Sequence, residues 1–293
     1  MPKRELPMTS IFDQFERRET GFDDVDKTSI SGAFPEYLER MATDLAAVKR
    51  ALHRLLDPRP GQRILDVGCG TGVDVLAVAE HVGPDGYVVG MDNSTVMVDA
   101  ARKQAAERGL PAEFVVGDAH EPAFPDDTFD SARSERVLQH VADPSRVVAE
   151  LVRVTKPGGT VLVADLDHGM WAPDAEDRET TRTVLARWFD YIANPWVARQ
   201  GPRLLRSAGV KDVQVTVLPV VMTALEAADA MTGLGRAAKL LAAEGVISAE
   251  QAQAWDDDLR RRQEEGLFFM CGAMLVAYGR VGRPISDTVS EGR

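Results

Sequence analysis

From Gly61 onward, short apolar runs alternate with longer segments of helical period, a pattern that predicts βαβ units around a parallel sheet. Residues 63–68 (RILDVG) read as the first strand and 71–81 as the helix after it; the GPDG turn at 83–86 then leads to a second strand, 87–92. Ser94 stands where a cap opens a helix to about Arg108. Strands at 112–118 and 129–135 follow, separated by the polar turn PDDT. Asp143 and Pro144 have the order of an N-cap and a first-turn proline, and Val147, Val148, Leu151 and Val152 make one apolar face behind them. Residues 160–167 (TVLVADLD) are almost continuously apolar, as in a strand covered on both faces.

Past residue 168 the alternation loosens. Helical segments are expected at 176–191 and 197–208, a strand at 213–222, helices at 225–243 and 248–265, and a closing strand at 268–281. The first 60 residues contain a helical stretch, 37–56, and no strand. The chain is therefore read as α/β, Rossmann-like and doubly wound. Its sheet is expected to be seven-stranded and mostly parallel, with a final antiparallel strand. Residues 1–60 form a helical lid, 61–168 the nucleotide-binding core, 169–281 the acceptor-side helices and last strands, with a helical insertion before the final strand, and 282–293 a disordered tail.

Composition narrows the partners. With 34 basic against 46 acidic residues, the net charge of -12 opposes a phosphate backbone, which argues against nucleic acid. Two cysteines, Cys69 in a glycine loop and Cys271 in an apolar run, give no disulfide framework and fit a reducing cytoplasm. No apolar stretch follows the basic N-terminal residues as in a secretory signal. The longest apolar run, 267–278, falls short of the roughly 20 residues of a membrane span.

The chemistry begins at Gly68, Gly70 and Gly72. A dinucleotide fingerprint, G-x-G-x-x-G, would put its third glycine at 73, where Val73 stands, so a hydride-transfer enzyme using NAD is disfavoured. Asp92 closes the second strand about 20 residues on, where a carboxylate can accept from a ribose diol or simply cap the next helix. Asp118 ends the third strand and can accept from an adenine amino group.

In order and spacing, LDVGCGTG, GMDNSTVMVDAAR, VVGDAHEPAFPDDTFDSARS, VLQHVADP and RVTKPGGTVLVAD resemble the class I S-adenosylmethionine-dependent methyltransferases, especially the small-molecule branch of the ubiquinone and menaquinone enzymes. The resemblance spans about 61–167. It implies S-adenosyl-L-methionine as methyl donor, with Gly68, Cys69, Gly70 and Gly72 under its methionine part and Asp66 toward its ammonium. Asp92 would hold the ribose, Asp118 and Ala119 would flank adenine, Ser134 would border the sulfonium, and Asn93 and Met97 would belong to the same cofactor-binding set.

Methyl transfer is an in-line displacement that asks for alignment and dryness, plus a base only where the acceptor must lose a proton. No metal is required. Some related sugar O-methyltransferases use a histidine and an aspartate at positions that fall on His140 and Asp165; His140 reads equally as a structural histidine. Trp171, Trp188, Trp196 and Met222, with His168, are expected to line an apolar acceptor pocket, and Phe34 and Tyr37 to belong to the lid. The function so read is methylation of a small, largely apolar acceptor (a natural product, aromatic or quinone), at oxygen or carbon rather than nitrogen. The alternative is a non-methylating reaction such as a cyclisation on the same fold. Whether the chain is a monomer or a homo-oligomer is left open.

Overall fold

The computed structural model describes residues 21–282; the expected signal-free N-terminus and, apart from Gly282, the expected tail lie outside them. Five parallel strands, β1 (Arg63–Val67), β2 (Tyr87–Asp92), β3 (Ala112–Val116), β4 (Phe129–Glu135) and β5 (Thr155–Leu166), lie in the order β3-β2-β1-β4-β5. The later strands are β6 (Ala172–Pro173), β7 (Val210–Met222) and β8 (Met270–Val281). β8 runs antiparallel to β5 on one side and to β7 on the other. The sheet thus has eight strands rather than seven, because β6, two residues long, continues the β5 edge of β8.

The helices around β1–β5 begin where the sequence places their caps. Ser94 Oγ accepts from the Met97 amide at the start of α4 (Thr95–Arg108), and Asp143 accepts from Ser145 and Arg146 at the start of α5 (Pro144–Val154). Two expected single helices are each divided. The 37–56 pattern becomes α1 (Phe34–Asp44) and α2 (Ala46–Leu56), joined at Leu45, which leaves helical geometry with φ -94° and ψ 12° and buries its side chain. The 225–243 pattern becomes α8 (Leu225–Thr232) and α9 (Leu234–Ala243), because Gly233 takes φ 58° and ends the first helix as a left-handed cap. The other helices are α3 (Val73–Val82), α6 (Arg178–Phe189), α7 (Val197–Ser207) and α10 (Ala249–Glu264).

Side chains alternate across the sheet, so each strand feeds two cores. One contains Ile64, Val75, Val98, Leu162 and Leu241 from β1, β5 and helices α3, α4 and α9; the other contains Leu65, Ala132, Val148 and Leu204 from β1, β4, α5 and α7. A third apolar cluster joins Val25 and Phe34 of the N-terminal segment to Met97, Trp188 and Ile192. It holds residues 22–38 over the C-terminal ends of β1, β2 and β4, where open α/β sheets hold their ligands.

Candidate active site

β1 turns into α3 through Gly68–Gly72. The Met91 carbonyl accepts from the amides of both Gly68, at 2.7 Å, and Cys69, at 3.0 Å, which folds the loop back over the end of β2. Gly68 has φ 73°, and a Cβ there would stand 2.1 Å from a Val137 methyl. Only glycine passes. Asp92 accepts from the Gly70 amide at 2.8 Å and from the Ser94 amide at 3.0 Å, so one carboxylate braces two loops and retains lone pairs for a further donor. Burial pushes its acid up from the ordinary range.

These loops bound a cavity of about 930 Å³. Asp66, Gly68, Cys69, Gly70, Asp92, Asn93, Met97, Asp118 and Ala119 all line it. Gly72 does not: it has φ 81°, and its missing side chain leaves room for the Phe114 ring, which a Cβ would approach to 2.7 Å. Its service is to pack α3 against β3. Ser134 is also off the lining, fully buried, because strand alternation turns it with Ala132 toward α5 while Arg133 and Glu135 face the cavity. Asp118 accepts from the His120 amide and Nδ1 and is held below its ordinary range by those bonds, while His120 Nε2 accepts from the Asp143 amide.

Behind the glycine loop lies a charged cluster that the sequence reading missed. Lys49 of α2 donates to Asp74 of α3 at 2.5 Å and to both oxygens of Glu135 at 3.1 and 3.2 Å. Arg133, 1% exposed, donates to Glu135 at 2.6 Å and lies 3.5 Å from carboxyl oxygens of Asp66 and Asp74. Burial raises Asp66 to about 7 against the pull of Arg133, whereas Arg133, Lys49 and His53 overcome burial at Asp74 and hold it well below its usual range. A signal was present: Arg and Glu inside SARSE sit in a strand that the sheet covers on both faces, where charges occur only when paired.

At the opposite end, His140, His168, Trp188 and Tyr37 line the cavity. The Trp188 indole donates to His168 Nδ1 at 3.2 Å; His168 Nε2 lies 3.0 Å from Gln139 Oε1, and Gln139 Nε2 lies 2.8 Å from His140 Nε2. An indole only donates, so the direction of the whole row follows: His168 carries its proton on Nε2 and His140 accepts on Nε2. Burial lowers His140 to about 3, helped by His168 and Arg136, and lowers His168 to about 4. Asp165 is buried away from the cavity lining, accepts from the Gln139 amide at 3.2 Å, and is pushed up by burial to about 8. Its link to His140 therefore runs through Gln139. Asn194, in the NPW stretch, clamps the same turn by donating to the carbonyls of Leu138 and Val141.

The other expected pocket residues lie elsewhere. Phe34 is fully buried behind Phe22, edge to face at 5.0 Å, and it is Phe22 that reaches the cavity and lies 5.1 Å from the His140 ring. Trp171 fills the space over Gly272 of β8, Met222 is buried at the end of β7 opposite Met270, and Trp196 is 49% exposed beside Phe189. Apolar side chains pack into cores for the same reason that they line pockets, and their spacing does not separate the two.

A methyltransferase-domain family matches residues 58–200. A protein of Streptomyces fradiae, described as an uncharacterised 37.1 kDa protein of transposon TN4556, is 38% identical over 82% of this chain and 69% of its own length. Nocamycin O-methyltransferase of Saccharothrix syringae is 44% identical over 39% of this chain and 41% of its own. This chain belongs to the class I S-adenosylmethionine-dependent methyltransferases. The fold agrees: phosphoethanolamine N-methyltransferase 2 of Haemonchus contortus, solved with S-adenosylhomocysteine, superposes with a TM-score of 0.55 at 20% identity, covering 89% of this chain and 60% of that one. The match spans under half of the nocamycin enzyme.

The residues present suit the methyltransferase donor. Loop amides and the Asp92 carboxylate form one polar wall, Asp66 meets the cavity beside Arg133, and Nε and Nη1 of that arginine are buried without hydrogen-bond partners among the described residues. Among the described residues no group of three His, Cys, Asp or Glu side chains is arranged to hold a metal, and no helix is long and apolar enough to cross a membrane.

Proposed function

We propose that this chain methylates a small, largely apolar acceptor at oxygen or carbon. The observation that carries the reading is the continuity of one cavity: its polar end holds Asp66, Asp92, Asp118 and the glycine loop, and its other end is walled by Phe22, Trp188 and Ile192 beside His140. S-adenosylmethionine, when bound, supplies an electrophilic methyl group. Asp92 takes the ribose diol with the lone pairs left by Gly70 and Ser94, Asp66 faces the ammonium, and Asp118 and Ala119 flank the adenine. Phe22 and Tyr37 exclude water above the transfer zone. His140 meets the acceptor, with Gln139 and Asp165 as the positioning residues behind it.

The test is calorimetric titration with S-adenosylhomocysteine, followed by mass analysis of acceptor libraries incubated with S-adenosylmethionine. Binding, a product heavier by one methyl group and one equivalent of S-adenosylhomocysteine are expected. Asp92→Ala is expected to weaken S-adenosylhomocysteine at least tenfold, since it removes both the diol partner and the brace between two loops. A product of unchanged composition would instead support cyclisation or rearrangement.

A further inference from the structure

Arg136 lines the cavity near His140, and its buried Nε has no hydrogen-bond partner among the described residues. The residue follows Glu135 at the tip of β4 with φ 57°, a left-handed conformation that strains any residue but glycine and that asparagine tolerates best. The strain turns the guanidinium onto the cavity wall. Its nearest carboxylate, Glu135, lies 3.6 Å from Nε, past hydrogen-bond reach, and already accepts from Arg133 and Lys49. Arg133 and Lys49 act on Asp66 at the donor end, while the charge of Arg136 is felt by Tyr37, His140 and Asp165.

The bases around Arg136 are meanwhile spent. His140 Nε2 is engaged by Gln139, His168 Nδ1 by Trp188, and Asp165 is off the cavity lining beneath the Gln139 amide. A guanidinium whose ion pair to Glu135 is long, beside histidines whose facing nitrogens are engaged, fits an acceptor that needs no deprotonation.

We propose that the acceptor enters as an anion, its ionised oxygen on a small apolar body bound by the Arg136 guanidinium, and that this oxygen is the methylated atom. The proposal rests on the methyltransferase reading above. The oxygen gives a lone pair to the methyl carbon, the carbon–sulfur bond breaks with its electrons going to sulfur, and an anion and a sulfonium become two neutral groups. No proton changes hands. Carboxylates and acidic enols share this chemistry, and Arg136 can meet two oxygens of the former side by side.

The experiment uses the chain saturated with S-adenosylhomocysteine and two probes of one shape, 2-naphthoate and 2-naphthamide, followed by calorimetry. Naphthoate is expected to bind at least tenfold more tightly than naphthamide. Arg136→Asn, which suits the left-handed backbone, should erase the preference, and Arg136→Lys should keep part of it; both should bind S-adenosylhomocysteine within about twofold of the parent. Equal binding of the probes, no binding of naphthoate, or a preference that survives Arg136→Asn overturns the proposal. So does loss of S-adenosylhomocysteine binding in Arg136→Asn with the preference intact, which would assign the arginine to the donor's own carboxylate. Failure of the parent chain to bind S-adenosylhomocysteine refutes the methyltransferase reading instead.

Discussion

Trp188 has one polar proton and can only give it away, and at the scale of single residues that fixes the protonation of two histidines. His168 receives on Nδ1, so its own proton is on Nε2 for Gln139; the Gln139 amide then points its NH₂ at His140, whose proton is left on Nδ1. Nitrogen-15 spectra of labelled histidine at about pH 6 should show both rings neutral, His140 as the Nδ1-H tautomer and His168 as the Nε2-H tautomer. Trp188→Phe should mix the tautomers of both, and a charged His140 at that pH would refute the scheme. His140 could be singled out in the sequence because a histidine beside a strand end stands out in a motif. Its orientation could not, since the donor that sets it lies 48 residues further on, at Trp188. The same holds for Arg133, whose partners Asp66 and Asp74 come from other elements.

Among the elements, the segment leading into α1 does more than cover the cavity. Asp26, in a short 3₁₀ turn, accepts from Ser94 Oγ at 2.5 Å and from the Thr95 amide at 2.7 Å, so it adds a second cap to α4 from outside that helix, and Asn93 donates to the Asp23 carbonyl at 2.8 Å. The strap is thereby latched to the loop that carries Asp92. Asp26→Ala should cost about 1 kcal/mol, the usual worth of a cap. It should also speed hydrogen exchange at the Thr95 amide and release of S-adenosylhomocysteine in stopped flow, with the fold unchanged by circular dichroism. Unaltered release would separate the strap from ligand exit. Most strands and caps were legible because period and punctuation are local properties of the chain. The division of helices at Leu45 and the two-residue β6 were not, because tertiary packing rather than propensity decides them.

At the scale of the whole molecule, two buried carboxyls and two buried histidines oppose one another. Asp66 and Asp165, raised to about 7 and about 8, keep protons in the fold that ordinary carboxyls have released. Their contribution to stability is full below about pH 4 and is lost as pH rises through those values. His140 and His168, lowered to about 3 and about 4, contribute the other way: their share is present above about pH 6.5 and lost as pH falls through their folded values. The two sets offset one another between about pH 4 and 6.5, and above that range only the carboxyl contribution still changes. Scanning calorimetry without ligand should show Tm falling from about pH 6.5 to 8.5, and Asp165→Asn, which keeps an acceptor for the Gln139 amide, should make that decline shallower. A Tm that rises over the interval contradicts the assignment.

Strand order also has a consequence in time. β8 lies between β5 and β7, yet its first residue, Met270, comes 48 positions after Met222, the last of β7. At about 5–20 residues per second of synthesis, β7 leaves the ribosome and waits for seconds with no strand to join. During that interval Val213, Val215, Val217, Val220 and Val221 form an apolar segment with unsatisfied amides on both sides, open to neighbouring nascent chains. Pro219, in the middle of the segment, has no amide to offer, and so interrupts the template that such an encounter would need until β8 arrives.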